Sequence, residues 1–452
     1  MSSSFAELGL AGPILSALSA RGIAEPFPIQ AATIPDALAG HDICGKAPTG
    51  SGKTLAFGLP VVSALGAKGL RAAPGRPLGL VLLPTRELAA QVAKELGPLA
   101  QSVGARVHAV YGGVGYGPQR NALRRGVELL AGTPGRLEDL IEQGSLDLSN
   151  VRWVVLDEAD RMADMGFMPA MRRLLDQIGS DRQVLLFSAT LDGDVDKIVS
   201  RYMNKPRRHE VVADEDRSGD VTHLWWKIPR EKRSDVVADL VRSHAPAVVF
   251  CRTRHGADRL ARRLEAAGIA AATVHGSRTQ PQRDRALSAF SSGAVHALVA
   301  TDVAARGIHV DSVACVVHFD LPGDHKDYTH RSGRTGRAGA NGLVVSLVTD
   351  ESRRDASSLQ KALGIKAEVG EPDFAALPAP VERKVVRETA VAKSPMPHRS
   401  GASRRNGHGG RSGSGRGTAG RNGSSHGGEA RSRGASSGRP DAAKRRRRTP
   451  RG

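Results

Sequence analysis

The stretch Ala47-Pro48-Thr49-Gly50-Ser51-Gly52-Lys53-Thr54 constrains this chain more than any other. The short run Asp42 to Cys44 suits a strand before it, and the apolar Leu55 to Leu65 suits a packed helix after it. The glycines therefore fall at a strand-to-helix turn. Glycine has no Cβ to keep phosphate oxygens away from backbone N–H groups, and the next helix points its positive dipole end at the same anion. The stretch reads as a phosphate cradle, with Lys53 reaching the β and γ phosphates and Thr54 offering a hydroxyl to Mg2+. Ala47 stands where the general pattern opens with Gly, so an ordinary Gly/Ser turn before a helix is the competing reading.

A phosphate cradle needs an acidic partner. Trp153 to Leu156 reads as a buried strand that delivers Asp157, Glu158, Ala159 and Asp160 to its end. Adjacent carboxylates at a strand end repel unless a cation is near. Asp157 is placed to hold Mg2+, and Glu158 to polarise the water that attacks the γ phosphate. Val184 to Phe187 reads as a further strand ending in Ser188, Ala189 and Thr190, whose hydroxyls are candidates to bond Asp160.

Other buried-strand patterns also end in polar residues. Leu80 to Leu83 runs into Pro84, Thr85, Arg86 and Glu87; Arg106 to Val110 runs into Gly112 and Gly113; Val127 to Leu130 runs into Thr133, Pro134, Gly135 and Arg136. Thr133 is placed to cap a helix that starts at Pro134 and stops at Gly144. Each such end serves equally as ordinary capping or as a phosphate contact. Alternating strand and helix patterns argue for α/β architecture, a parallel sheet with its site at the carboxyl ends of the strands.

At 452 residues the chain is too long for one core. Ala213 to Asp220 is polar and reads as a linker, followed by a second series. There Val248 to Phe250 leads to Cys251, Arg252 and Thr253; Ala271 to Val274 leads to His275, Gly276, Gln280 and Arg283; Ala297 to Ala300 leads to Thr301 and Asp302. The second half has no phosphate loop but has the cluster His330, Arg331, Ser332, Gly333, Arg334, Thr335, Gly336, Arg337. Guanidinium groups suit the spread charge of a transferring phosphoryl group, and a solvated basic loop is the alternative.

The sequence resembles the DEAD-box ATP-dependent RNA helicases over about residues 5 to 350, with the motifs in the family's order: Phe5 with Gly22 to Gln30, Ala47 to Thr54, Pro84 to Ala89, Gly112 and Gly113, Thr133 to Arg136, Asp157 to Asp160, Ser188 to Thr190, Phe250 to Thr253, His275 to Arg283, Thr301 to Gly307, and His330 to Arg337. The family also opens its phosphate loop with Ala. The resemblance implies two tandem RecA-like parallel-sheet domains, ATP with Mg2+ in the cleft between them, and RNA across both. It implies 1–212 as the first domain, 213–220 as linker and 221–366 as the second. Phe5 and Gln30 would join the loop in binding ATP, Gln30 by reading adenine through its amide. Lys53, Asp157, Glu158, Arg334 and Arg337 would carry the chemistry, and Asp160, Ser188, Thr190 and His330 would couple it to RNA. Thr85, Arg86, Gly113, Thr133 and Arg136, with Arg252, Thr253, Gln280, Arg283 and Thr301 opposite, would line the RNA path.

The chain departs from the family at Ile23 (often aromatic), Phe27 (often Ser or Thr), Pro48 (usually Gln), His309 (usually the Asp that touches ribose) and Ser332 (usually apolar). None of these removes a charge the chemistry needs.

The net charge of +19 sits mostly at one end: from Glu382 to Gly452 there are 19 Lys or Arg against 4 acidic residues. Beyond Phe374 there is no aromatic residue, and Gly, Ser, Arg and Asn dominate from Ser400. Residues 367–452 are expected to form a disordered basic tail that cannot bury enough surface to order itself; an RNA tether working through phosphates alone is the favoured reading, and a solubilising tail or a partner site are the alternatives. No apolar run approaches a membrane span, and Cys44, Cys251 and Cys315 lack disulfide or zinc spacing. A monomeric cytoplasmic protein acting on RNA or on ribosomal or messenger ribonucleoproteins fits, with no membrane partner. An ATP-gated RNA clamp or annealing scaffold, and a DNA substrate, are the rival readings.

Overall fold

The computed structural model describes residues 4–48, 50–67, 69–191, 193–211, 220–302, 313–336 and 341–379. It holds two sheets of seven strands within one compact unit. The first comprises β1 (Ile43–Lys46), β2 (Gly79–Leu82), β3 (Val107–Val110), β4 (Leu129–Gly132), β5 (Trp153–Asp157), β6 (Gln183–Ser188) and β7 (Arg207–Glu210). The second comprises β8 (Val221–Lys227), β9 (Ala247–Phe250), β10 (Ala271–Val274), β11 (Ala297–Ala300), β12 (Cys315–His318), β13 (Gly342–Val348) and β14 (Val369–Gly370).

Every pairing is parallel. Helices cover both faces of each sheet, so the central strands are buried on both sides. This is why β2, β4, β9, β11 and β12 read as short unbroken apolar runs rather than alternating ones. The order β3-β4-β2-β5-β6-β1-β7 recurs as β10-β11-β9-β12-β13-β8-β14. The second lobe therefore repeats the first strand for strand, and the expected α/β fold of two RecA-like sheets is what the chain adopts.

Each sheet carries one hydrophobic cluster on either face. Phe57, Leu96 and Phe187 belong to one face of the first sheet, and Leu137, Met171 and Ile198 to the other. Gly45 lies beneath the Phe187 ring, where an added Cβ would come within 2.6 Å of that ring. The phosphate loop leaves β1 at this point.

Residues 367–379, expected to belong to the disordered tail, instead pack on the second lobe. β14 pairs with β8, Phe374 meets Trp226 with ring centroids 5.1 Å apart, and the Pro378 carbonyl lies 2.9 Å from His244 Nε2. The ring contact and the ladder supply the burial that composition alone did not reveal. The rest of the expected tail, the linker residues 213–219, and Thr49, His309 and Arg337 lie outside the described residues. Among the described residues no helix is long and apolar enough to cross a membrane.

Candidate active site

β1 ends at Lys46, and the helix Lys53–Ala67 begins seven residues on. Gly50 (φ 89°) and Gly52 (φ 84°) take left-handed backbone that lets the loop reverse in so few residues. Lys53 is buried and donates from Nζ to the Ala47 carbonyl at 2.9 Å, so its ammonium lies inside the curve of the loop. The Ala47 N–H donates to Ser188 O at 3.1 Å and ties the loop to the end of β6.

The Gln30 amide is engaged at both ends within this chain. Its Oε1 accepts from Phe27 N at 2.9 Å, and its Nε2 donates to Gly52 O at 2.9 Å. Gln30 thus fastens the helix Pro28–Leu38 to the loop from the side. Phe5, expected to contact ATP, is buried in the core of the first lobe.

β5 delivers Asp157 and Glu158 beside the loop. Glu158 sits at φ 52°, ψ 49°, and its N–H donates to Asp157 Oδ1 at 3.0 Å. Arg161, one turn on, pairs with Glu158 through a 2.6 Å contact from Nη1 to Oε2, with both side chains more than nine-tenths buried. Asp160 ties β5 to β6: its Oδ2 accepts from the N–H of Ala189 at 3.1 Å and of Thr190 at 3.0 Å, and its own N–H donates to Ser188 Oγ at 3.1 Å. Thr190 Oγ1 lies farther away, at 3.4 Å. The expected partners of Asp160 are therefore met mostly through backbone.

The second lobe brings its helix His325–Ser332 to the same place. Burial first, and then Arg161, hold the His330 imidazole below the ordinary histidine range, against the pull of Asp160, Glu158 and Asp164. That set of neighbours puts His330 beside the acidic strand end. Arg331 is clamped by Asp302 through Nε and Nη2 at 2.6 and 2.7 Å and donates to Asp320 O at 2.8 Å. A small cavity is lined by Arg161 together with Asp302, His330, Arg331 and Arg334. Arg161 was not singled out from sequence, and Arg331 and Asp302 were named there only within longer stretches, with no partner assigned. The signal available was Arg161's position three residues after Glu158, one helical turn.

His318 explains how Ser332 is accommodated. Arg331 Nη1 lies 3.4 Å from His318 Nδ1, which leaves the ring proton on Nε2, facing Ser332 Oγ at 3.3 Å. His318 stacks on Tyr328, and Tyr328 on Trp225, with centroids 4.6 and 5.5 Å apart. The hydroxyl thus meets a buried polar atom where an apolar side chain would have left it unpaired.

The residues expected to line an RNA path lie at carboxyl ends of strands in matching positions. Thr85 follows β2 and caps its helix by accepting from Leu88 N; Thr253 follows β9 and accepts from Gly256 N. Thr133 sits at its helix's N-cap position, but its side chain makes no capping hydrogen bond, contrary to expectation; Pro134 at the next position leaves one amide fewer to satisfy. The Arg86 guanidinium lies over Gly113, where a Cβ would come within 2.0 Å of it. Arg136 stacks on Tyr116 at 4.1 Å and donates to Val114 O at 3.1 Å. In the second lobe Arg252 and Thr253 are exposed. Gln280 and Arg283 instead turn to Glu87 of the first lobe, at 3.1 and 2.9 Å.

A phosphate loop with paired strand-end acids, faced by a second lobe of the same topology that supplies arginines, defines a two-lobed P-loop nucleotidase of the helicase class. The DEAD/DEAH box helicase family matches residues 27–198, and the helicase conserved C-terminal domain matches residues 231–339. The chain is 40% identical over 357 residues to the DEAD-box ATP-dependent RNA helicase CshA of Bacillus subtilis, covering 78% of this chain and 71% of that one. It is 43% identical over 376 residues to the chloroplastic DEAD-box ATP-dependent RNA helicase 3A of Zea mays, covering 81% of this chain but only 50% of the maize protein. The structure of S. cerevisiae Dbp5 bound to RNA and ADP BeF3 superposes with a TM-score of 0.69 at 27% identity, over 82% of this chain and 95% of that one. This chain belongs to the DEAD-box family of ATP-dependent RNA helicases.

Proposed function

We propose that the chain is an RNA-dependent ATPase that uses ATP binding and hydrolysis for local, non-processive unwinding or remodelling of RNA duplexes or ribonucleoproteins. The observation that carries this reading is the approach of the helix bearing His330 and Arg331 to the Asp157–Asp160 strand end of the other lobe, because it makes the site a joint product of both lobes.

In this reading the loop amides and Lys53 hold the β and γ phosphates. Glu158, held in place by Arg161, takes the proton of the attacking water. Arg334 and Arg337 offset charge on the transferring phosphoryl group, and the Asp160 link to Ser188–Thr190, with His330, passes lobe closure to the acids. Thr54 and Asp157 would hold Mg2+, which when bound neutralises phosphate charge. The described residues hold no group of three or more His, Cys, Asp or Glu suited to a metal. That donor set agrees with an ion that keeps its waters and takes one or two side chains plus phosphates.

We read 1–212 and 221–379 as the two catalytic lobes, 213–220 as their linker, and the basic segment beyond residue 379 as an RNA tether. A monomer acting in the cytoplasm on ribosomal or messenger ribonucleoproteins is the setting we propose.

The test is ATP turnover with and without RNA, with DNA as a control. RNA should stimulate it, and Glu158→Gln should lower turnover by about 10²-fold or more while ATP and RNA still bind. Turnover indifferent to RNA, or unchanged in Glu158→Gln, would overturn the reading.

A further inference from the structure

The second lobe contains a cavity of about 670 Å3, at whose edge stand Arg252 and Thr253, expected on the RNA path, and whose other lining residues have no role so far. It is lined by residues that follow β8 (Arg230, Arg233), β9 (Arg252, Arg259), β12 (Asp320) and β13 (Glu351). Because the two sheets share one strand order, β8, β9, β12 and β13 correspond to β1, β2, β5 and β6. The cavity therefore occupies, in the second lobe, the place that the phosphate loop and the Asp157–Asp160 turn occupy in the first. Ligands of open α/β sheets bind at carboxyl ends of strands where the order reverses, and the volume is of the size that small ligands take.

What stands there is chemically different. In place of a glycine loop the lining carries arginines, and on the helix Arg254–Ala266 Arg259 and Arg263 lie one turn apart, with His255 one turn before them. Part of the nearby acid is already committed: Asp320 pairs with Arg233 at 3.0 Å, and Glu351 lies 3.6 Å from Arg230. Among the described residues the side chains of Arg252, His255 and Arg259 make no hydrogen bond or ion pair. The Arg233 Nε is buried in the lining without a hydrogen-bond partner. Planar guanidinium groups arrayed along one helix face match the spaced oxygens of an oligophosphate. The remaining carboxylates, Glu231 and Asp355, can accept from ribose hydroxyls.

We infer that this cavity is a second phosphate-binding site, separate from the ATP site, that takes an oligophosphate carried either by a free nucleotide or by the 5′ end of an RNA strand. Arg259 and Arg263 hold the phosphates, and the site turns nothing over because no strand-end acid pair or glycine loop stands there.

The test uses the full chain carrying Lys53→Ala, which disables the first-lobe cradle. Inorganic tripolyphosphate, titrated by calorimetry, should still bind, and the further change Arg259→Ala/Arg263→Ala should weaken it about tenfold or more. Two parallel arms name the source. ADP binding that falls with the arginines identifies a free nucleotide; a preference for 5′-triphosphate over 5′-hydroxyl RNA that disappears with them identifies an RNA end. With Lys53 intact, Arg259→Ala/Arg263→Ala should keep its RNA-stimulated ATPase, which shows that the fold survives. Tripolyphosphate binding that is absent at millimolar concentration or indifferent to both arginines, or a null result in both source arms, overturns the inference.

Discussion

Arg283 of the second lobe reaches Glu87 of the first at 2.9 Å, with only 7% and 8% of their side chains exposed. Gln280, one helical turn earlier, donates to the same Glu87 oxygen at 3.1 Å. Two residues expected on the RNA path thus share one acidic partner across the lobes. A buried pair is costly to break from one side, because the charge left behind has no water. Glu87→Ala should therefore push the lobes apart in the absence of RNA, at a cost of about 3 kcal/mol or more to the joined state. Small-angle scattering should report a larger radius of gyration, and an unchanged radius would show that the pair does not hold the lobes together.

Gly52→Ala tests the link between the loop and Gln30. At φ 84° an alanine is strained, and its Cβ would lie 2.4 Å from Gln30 Nε2 and 2.6 Å from Phe27. The left-handed backbone alone costs about 1–2 kcal/mol, and Gln30 must also move. Nucleotide affinity should fall sharply with a modest drop in melting temperature. Wild-type affinity in a titration would mean that the loop does not cradle phosphate.

The fold and the first-lobe chemistry were legible because their signals are local. A glycine loop between strand and helix, and acids closing an apolar run, sit within a few residues of each other. What stayed hidden is non-local. Glu87 finds Arg283 196 positions away in sequence number, and Asp302 finds Arg331 across a turn of the second sheet. Nothing in composition marks Glu87 or Asp302 apart from other acids. Thr133 failed as a capping side chain for a related reason: the residue type permits the bond, but the surrounding geometry decides whether it forms. Residues 367–379 were misread because two strand residues and one phenyl ring carry too little pattern to register against a polar background.

Removal of residues 380–452 should preserve RNA-stimulated ATPase and weaken RNA binding at moderate salt. On the tether reading the 19 Lys or Arg beyond Val381 would act through phosphate neutralisation, so the full chain should also show the steeper salt dependence, by about 0.7 in log–log slope for each single-strand phosphate that the tail neutralises. Equal affinities and slopes would rule out the tether.

The buried His318 makes the second lobe sensitive to acid. Burial first, then Arg331 and His223, hold its imidazole well below the ordinary value of 6.5. The unfolded chain therefore takes up a proton near 6.5 that the folded chain refuses. Stability is full above that pH and declines below it toward the depressed folded value, by at most about 1.36 kcal/mol per pH unit for this group. Chemical denaturation from pH 7.5 to 5 should show this decline, and His318→Asn should flatten it. An unaltered slope in the variant would assign the proton elsewhere.

Glu158 has a left-handed backbone, a conformation that glycine or asparagine would adopt more readily. Replacing Glu158 by either would relieve about 1–2 kcal/mol of backbone strain but leave the buried Arg161 guanidinium without its carboxylate, at about 3 kcal/mol or more. The ion pair that positions the carboxylate therefore also keeps the bend in its strained form, so sturdiness and turnover select the same residue there.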